Sequence, residues 1–177
     1  MKTYISILRG INVSGQNKII MADLKLLYED LGFLDVITYI QSGNVVFKTN
    51  LKTTTTKLAK LIEDKIKGNY GFEVPVIIRT QNELQNIIEI NPFKNDEIDG
   101  LYVTFLSNQP NANQLEKLEN VNFLPDKFEL IDKEVYLSVV SYGNTKLSNN
   151  FFESKLKVTA TTRNLKTIIK LIELSTI

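Results

Sequence analysis

Two rhythms of apolar residues alternate along the chain. Residues 3–9 carry β-branched and aromatic side chains in a strand-like run. Leu24, Leu27, Tyr28 and Leu31 then recur at helical spacing and predict a helix over about 21–31, with Gly32 as its stop. Residues 37–48 read as a hairpin, in which Tyr39-Ile40-Gln41 and Asn44-Val45-Val46-Phe47 flank a two-residue turn at Ser42-Gly43. Helical spacing returns at Leu58, Leu61, Ile62 and Ile66 and predicts a helix over about 55–67, ended by Gly68. A strand at 74–79 and a short helix at 81–90 complete the series. The order is β-α-β-β-α-β with a trailing helix. Such a split βαβ unit predicts an antiparallel four-stranded sheet with two helices on one face, the ferredoxin-like arrangement.

The second half repeats this order: strand 101–107, helix 111–120, hairpin 127–140, helix 145–156, a short strand near 158–162 and helix 164–174. Tyr4 to Leu8 corresponds to Tyr102 to Leu106, Glu63 to Glu153, and Val74 to Arg79 matches Val158 to Arg163. Chance similarity between amphipathic segments is the competing reading. Agreement of order, spacing and anchor residues favours duplication. The expected fold class is therefore α+β, a tandem duplication of a ferredoxin-like βαββαβ unit. The expected division is 1–93 and 94–177, with Asn91-Pro92-Phe93 and the acidic 94–99 stretch as the seam.

Composition narrows the chemistry. The 177 residues include neither Cys nor His. That excludes Cys/His zinc sites, disulfides, catalytic thiols and any Ser-His or Cys-His nucleophile pair. Acid-base steps would have to use Asp, Glu, Lys or Tyr, or positioning by Arg. No cofactor, metal or reaction is assigned. Twenty-one basic residues nearly balance twenty acidic ones, so global charge recruits neither nucleic acid nor membrane. The longest apolar run is four residues, Ile19 to Ala22, far short of a membrane span. The first residues enter a strand with no signal segment, so a cytoplasmic location is expected. The basic set is skewed: eighteen Lys but only Arg9, Arg79 and Arg163.

Differences between the halves select the candidate site. The second half links its first strand to its helix through Ser107-Asn108-Gln109-Pro110. The first half uses Arg9 to Ile20 instead. Long loops on a small scaffold are disproportionately functional. This one holds Arg9, Gly10, Asn12, Gly15 and Lys18 between a strand and a helix, a setting where backbone N–H groups receive anions. The spacing of Gly10 and Gly15 echoes a P-loop, but Gln16-Asn17 stands where Lys-Ser/Thr is required. The structural alternative is a loop that packs over the first helix, its glycines serving turns only. Gln41, Ser42 and Asn44 form a second candidate, against a purely geometric role in the hairpin. Arg163 and Asn164 form a third. Arg163 offers a bidentate fork for carboxylate or phosphate, and Asn164 or Thr162 offers a helix cap. Arg79 and Arg163 fall on equivalent positions, so twin structural roles, pairing with acids such as Glu73, compete with ligand binding. Paired carboxylates such as Glu63-Asp64 and Asp96-Glu97 read as solvated faces. Tyr4 and Phe47 lie where ferredoxin-like sheets stack RNA bases, but no basic stripe accompanies them.

The string Ile7-Leu8-Arg9-Gly10-Ile11-Asn12-Val13-x-Gly15-x-Asn17-Lys18, followed by Met21-x-x-Leu24 and Thr38 to Phe47, resembles the bacterial family catalogued as domain of unknown function 1697. Asn91-Pro92-Phe93, Lys146 to Asn149 and Thr161-Thr162-Arg163-Asn164-x-x-Thr167 resemble its later motifs. Leu165 stands where relatives often carry Trp, and Ser14 where Gly is usual. The resemblance implies tandem ferredoxin-like folds and transfers no activity, cofactor or catalytic residue. The expected function is binding of a small anionic or polar ligand at the 9–18 loop. An RNA- or protein-interaction module using an exposed sheet face is the alternative.

Overall fold

The strand-like first residues form β1 (Lys2–Leu8). In the computed structural model, which describes residues 1–177, β1 leads to α1 (Met21–Asp30), β2 (Leu34–Tyr39), β3 (Asn44–Thr49), α2 (Thr55–Tyr70), β4 (Val76–Thr80) and α3 (Gln81–Glu89). A 3-10 turn at Ile98–Gly100 precedes β5 (Leu101–Leu106), α4 (Ala112–Leu115), β6 (Lys127–Ile131), β7 (Glu134–Ser138), α5 (Asn149–Leu156), β8 (Ala160–Asn164) and α6 (Leu165–Ser175). The protein is α+β, with two four-stranded antiparallel sheets and six helices.

The strand orders are β2-β3-β1-β4 and β6-β7-β5-β8, consistent with a duplicated unit. Register agrees in detail. Ile5 of β1 lies opposite Val46 and Arg79, and Val103 of β5 lies opposite Tyr136 and Arg163. One compact unit comprises residues 1–85 together with 170–177, and the other comprises 86–169. The helix α6 is therefore divided, its last turns counting with the first unit.

Period-two alternation sends Tyr4, Leu8, Val45, Phe47, Val76 and Ile78 to one face of the first sheet. There they pack with Leu24, Leu27 and Tyr28 of α1 and Leu58, Ile62 and Ile66 of α2. Each fully buried Leu or Ile contributes about 1.5–3 kcal/mol of hydrophobic stabilisation. The opposite residues Ile5, Ile7, Val46 and Ile77 are also buried, so neither face of this sheet is open. In the second unit Leu106, Val135, Leu137 and Ala160 pack with Phe152 and Leu156 of α5.

Several boundaries differ from the sequence reading for local reasons. The helix α2 does not stop at Gly68. It continues to Tyr70, whose ring packs against Phe72, and closes at Gly71 in the left-handed region at φ 78°. The first hairpin has no two-residue turn: Ile40, at φ 50°, starts a four-residue connection, 40–43. The predicted helix 111–120 shrinks to one α-helical turn, capped by Asn111 and Gln114 in a capping box, plus a 3-10 turn at Glu116–Leu118. The helix expected from 145 starts at Asn149. The Thr145 hydroxyl instead accepts the Leu147 N–H in a local turn, and Ser148 caps the helix.

Candidate functional site

β1 ends between two neighbours. The Leu8 N–H donates to the Gly43 carbonyl and the Arg9 N–H to the Pro75 carbonyl, each at 2.9 Å. The chain then enters the 9–20 loop through a series of left-handed residues: Gly10 at φ 72°, Asn12 at 55°, Ser14 at 51°, Gly15 at 75° and Asn17 at 47°. Buried Ile11 and Ile19 pin the loop to the first unit's interior. The Asn12 amide organises it. Its Nδ2 donates to the carbonyls of Ile19 and Gln41, and its Oδ1 accepts the Ile19 N–H, all at 2.9 Å. Asn17 Nδ2 donates to the Gly10 carbonyl. The Gln16 N–H returns to the Val13 carbonyl, which leaves residues 13–16 as an exposed projection with exposed Lys18 at its base.

The 40–43 turn lies against this loop. The backbone of Gly43 runs so close to Ile11 that a Cβ would lie 2.6 Å from Ile11 Cδ1. Asn44 is buried, and its Nδ2 donates to the Tyr39 carbonyl and the Ser42 hydroxyl. The structure thus brings the loop and the turn together through Asn12 and Gln41. Much of the amide chemistry read as ligand-binding is spent on holding their backbone. The exposed groups are Ser14, Gly15, Gln16, Lys18 and Gln41, and Arg9 is half-buried.

Arg163 and Asn164 belong to the second unit. The Arg163 side chain is buried, and Nη1 donates to the Thr161 hydroxyl at 3.0 Å and the Thr162 carbonyl at 2.8 Å. Arg79 does the same in the first unit, donating to the Ile78 carbonyl at 3.1 Å. Glu73 is not its partner, since Lys67 takes that carboxylate at 2.7 Å. The Asn164 Oδ1 accepts the Thr167 N–H and caps the first turn of α6. The first sheet presents no exposed aromatic face: Tyr4 is buried, and Phe47 stacks on Phe33 at 4.5 Å within the core beneath α1 and α2.

Three groups of structural side chains were not marked by the sequence. Glu63 accepts the Val76 N–H at 2.9 Å and Glu153 accepts the Ala160 N–H at 3.0 Å, so each carboxylate anchors the last strand of its unit. Their matching places in the two halves of the sequence were the available signal. Asp96 accepts from Lys127 Nζ and Ser138 Oγ, and these two bonds hold its carboxyl below the ordinary range. The Tyr136 hydroxyl is buried without a hydrogen-bond partner. Burial and the nearby Glu134 carboxylate push its pKa up.

A family model described as "Protein of unknown function (DUF1697)" matches residues 1–136. A solved structure, described as conserved bacterial protein SP0830 from Streptococcus pneumoniae, is similar at a TM-score of 0.76 and 22% identity, covering 98% of each chain. That likeness concerns the fold alone. Comparison with curated proteins returns no match. No helix is long and apolar enough to cross a membrane.

Proposed function

This chain belongs to the DUF1697 family of proteins of unknown function, and from the geometry of its first unit we propose that it binds a small anionic or polar metabolite at the 9–18 loop and the adjoining 40–44 turn. The carrying observation is the three-way tie of Asn12 to Ile19 and Gln41, which makes one rigid edge of two connections. Rigidity matters because a binding loop that is already ordered loses less entropy on capture. Left-handed residues interspersed along a loop gather peptide N–H groups into a concave donor set suited to anions. Lys18 and Arg9 add positive charge beside it. Ile40 supports the same reading. A β-branched residue at φ 50° is a costly conformation, and such strain concentrates at ligand-contacting segments. The strand order and the twin arginines and glutamates further support reading each unit as ferredoxin-like and the pair as a tandem duplication.

A thermal-shift screen of nucleotides, phosphosugars and carboxylates against the full chain tests this reading. At least one ligand should raise the midpoint, and its Kd should weaken tenfold or more in Gln16→Ala/Lys18→Ala, where both side chains are exposed. A screen without hits, or hits indifferent to that variant, refutes the assignment.

A further inference from the structure

The opposite end of β1 carries a second cleft, of about 580 Å³. It lies among the first residues of β1, the 50–54 connection and the start of α2, about 20 Å of strand from the 9–18 loop. Tyr4 lines it together with Asn50 and Thr53, and three lysines, Lys2, Lys52 and Lys57, reach it from three separate segments. No carboxylate lines the cleft, and none of these three lysines makes an ion pair. Apart from Lys18, the other lysines of this unit are ion-paired, and Lys48, Lys60 and Lys67 lie within 2.9, 2.8 and 2.7 Å of an Asp or Glu oxygen.

The second unit serves as an internal control. Tyr102 is the counterpart of Tyr4, and the connection following β7 returns Tyr142 to stack on it at 4.6 Å. The corresponding 50–54 connection contains no aromatic residue, and the cleft beside Tyr4 stays open. A fold that closes this position with a ring in one copy and surrounds it with unpaired cations in the other has a concavity its core does not need.

We infer that this cleft is a binding site for a small ligand bearing a phosphate or diphosphate group. Its volume falls in the range of small-molecule pockets. Three ammonium groups act as point charges suited to the compact, multiply charged oxygens of a phosphate, while Asn50 and Thr53 supply neutral polar contacts. The site is separate from the loop of the proposed function, so either assignment can fail alone.

Isothermal titration of the full chain with inorganic pyrophosphate at low ionic strength tests it. The variant is Lys52→Ala/Lys57→Ala, whose side chains are exposed. The charge-matched control is Lys60→Ala/Lys67→Ala, which removes two lysines from the same helix outside the cleft. Pyrophosphate should bind the natural chain, at least tenfold more weakly the first variant, and within twofold of natural affinity the control. Absence of binding to the natural chain, or equal weakening in both variants, overturns the site. Citrate binding as tight as pyrophosphate overturns the phosphate assignment.

Discussion

At Gly43 a methyl group would lie 2.6 Å from Ile11 Cδ1 and 2.9 Å from Leu8 Cβ, on a backbone at φ 80°. Gly43→Ala therefore combines left-handed strain with a clash, and we expect a loss of about 2 kcal/mol or more, read from urea denaturation. Asp96 gives a pH-dependent case. Lys127 first, then Ser138, depresses its carboxyl below the ordinary 3.8. A depressed carboxyl contributes stability above its unfolded pKa and loses it as pH falls through the lower folded value. Asp96→Asn should consequently lower the urea midpoint at pH 7 and leave it nearly unchanged at pH 2, flattening the acid limb. A midpoint shift of the same size at both pH values would show that the carboxylate's charge is not the contributing feature. Single residues were the least legible level of the sequence. Asn12, Asn44 and Asn164 were identifiable as unusual, but an amide that reads a ligand and one that closes a turn carry the same letter. Only the partners decide, and for Asn44 and Asn164 they are groups of the protein itself, the Tyr39 carbonyl and Ser42 hydroxyl in one case and the Thr167 N–H in the other.

Elements were more legible because apolar rhythm reports burial directly. The eight strands and the two βαββαβ orders follow from it, down to the equivalence of Arg79 and Arg163 in register. Boundaries failed where a local bond outweighed the rhythm. Gly68 costs a helix about 1 kcal/mol, yet continuing past it places Tyr70 against Phe72. Of the paired carboxylates, Glu63 departs from the solvated-face reading for a similar reason, whereas Asp30 and Asp64 stay exposed. Glu63 and Glu153 look like surface residues of an amphipathic helix, but each reaches the first N–H of the strand that follows. Removing either leaves a part-buried donor unmet. Glu63→Ala and Glu153→Ala should each cost about 1–3 kcal/mol, whereas Glu29→Ala, which breaks only an exposed pair with Lys25, should stay within about 0.5 kcal/mol. Chemical denaturation of the three variants separates the outcomes.

For the whole molecule, the duplicated order in the sequence implied a cut between two consecutive halves. The compact units do not follow it: residues 170–177 count with the first. There Lys48 Nζ donates to the Ile177 carbonyl, and Leu174 and Ser175 line a cleft with Val36, Ile37 and Val46 of the β2-β3 edge. Sequence periodicity could not reveal this, because it marks which face of a helix is buried and not which strands receive it. Residues 1–93 expressed alone should have native-like helical circular dichroism but fast amide exchange in β2 and β3, compared with the full chain. Exchange as slow as in the full chain would show that the last segment is dispensable.

The division of α6 also bears on how the protein is made. N-terminal domains usually complete their folding during synthesis, before later residues leave the ribosome. Here the first unit includes a segment translated only after the whole of the second unit, so nascent chains must hold an unfinished unit, without residues 170–177 beside Val36, Ile37 and Val46, until that segment emerges.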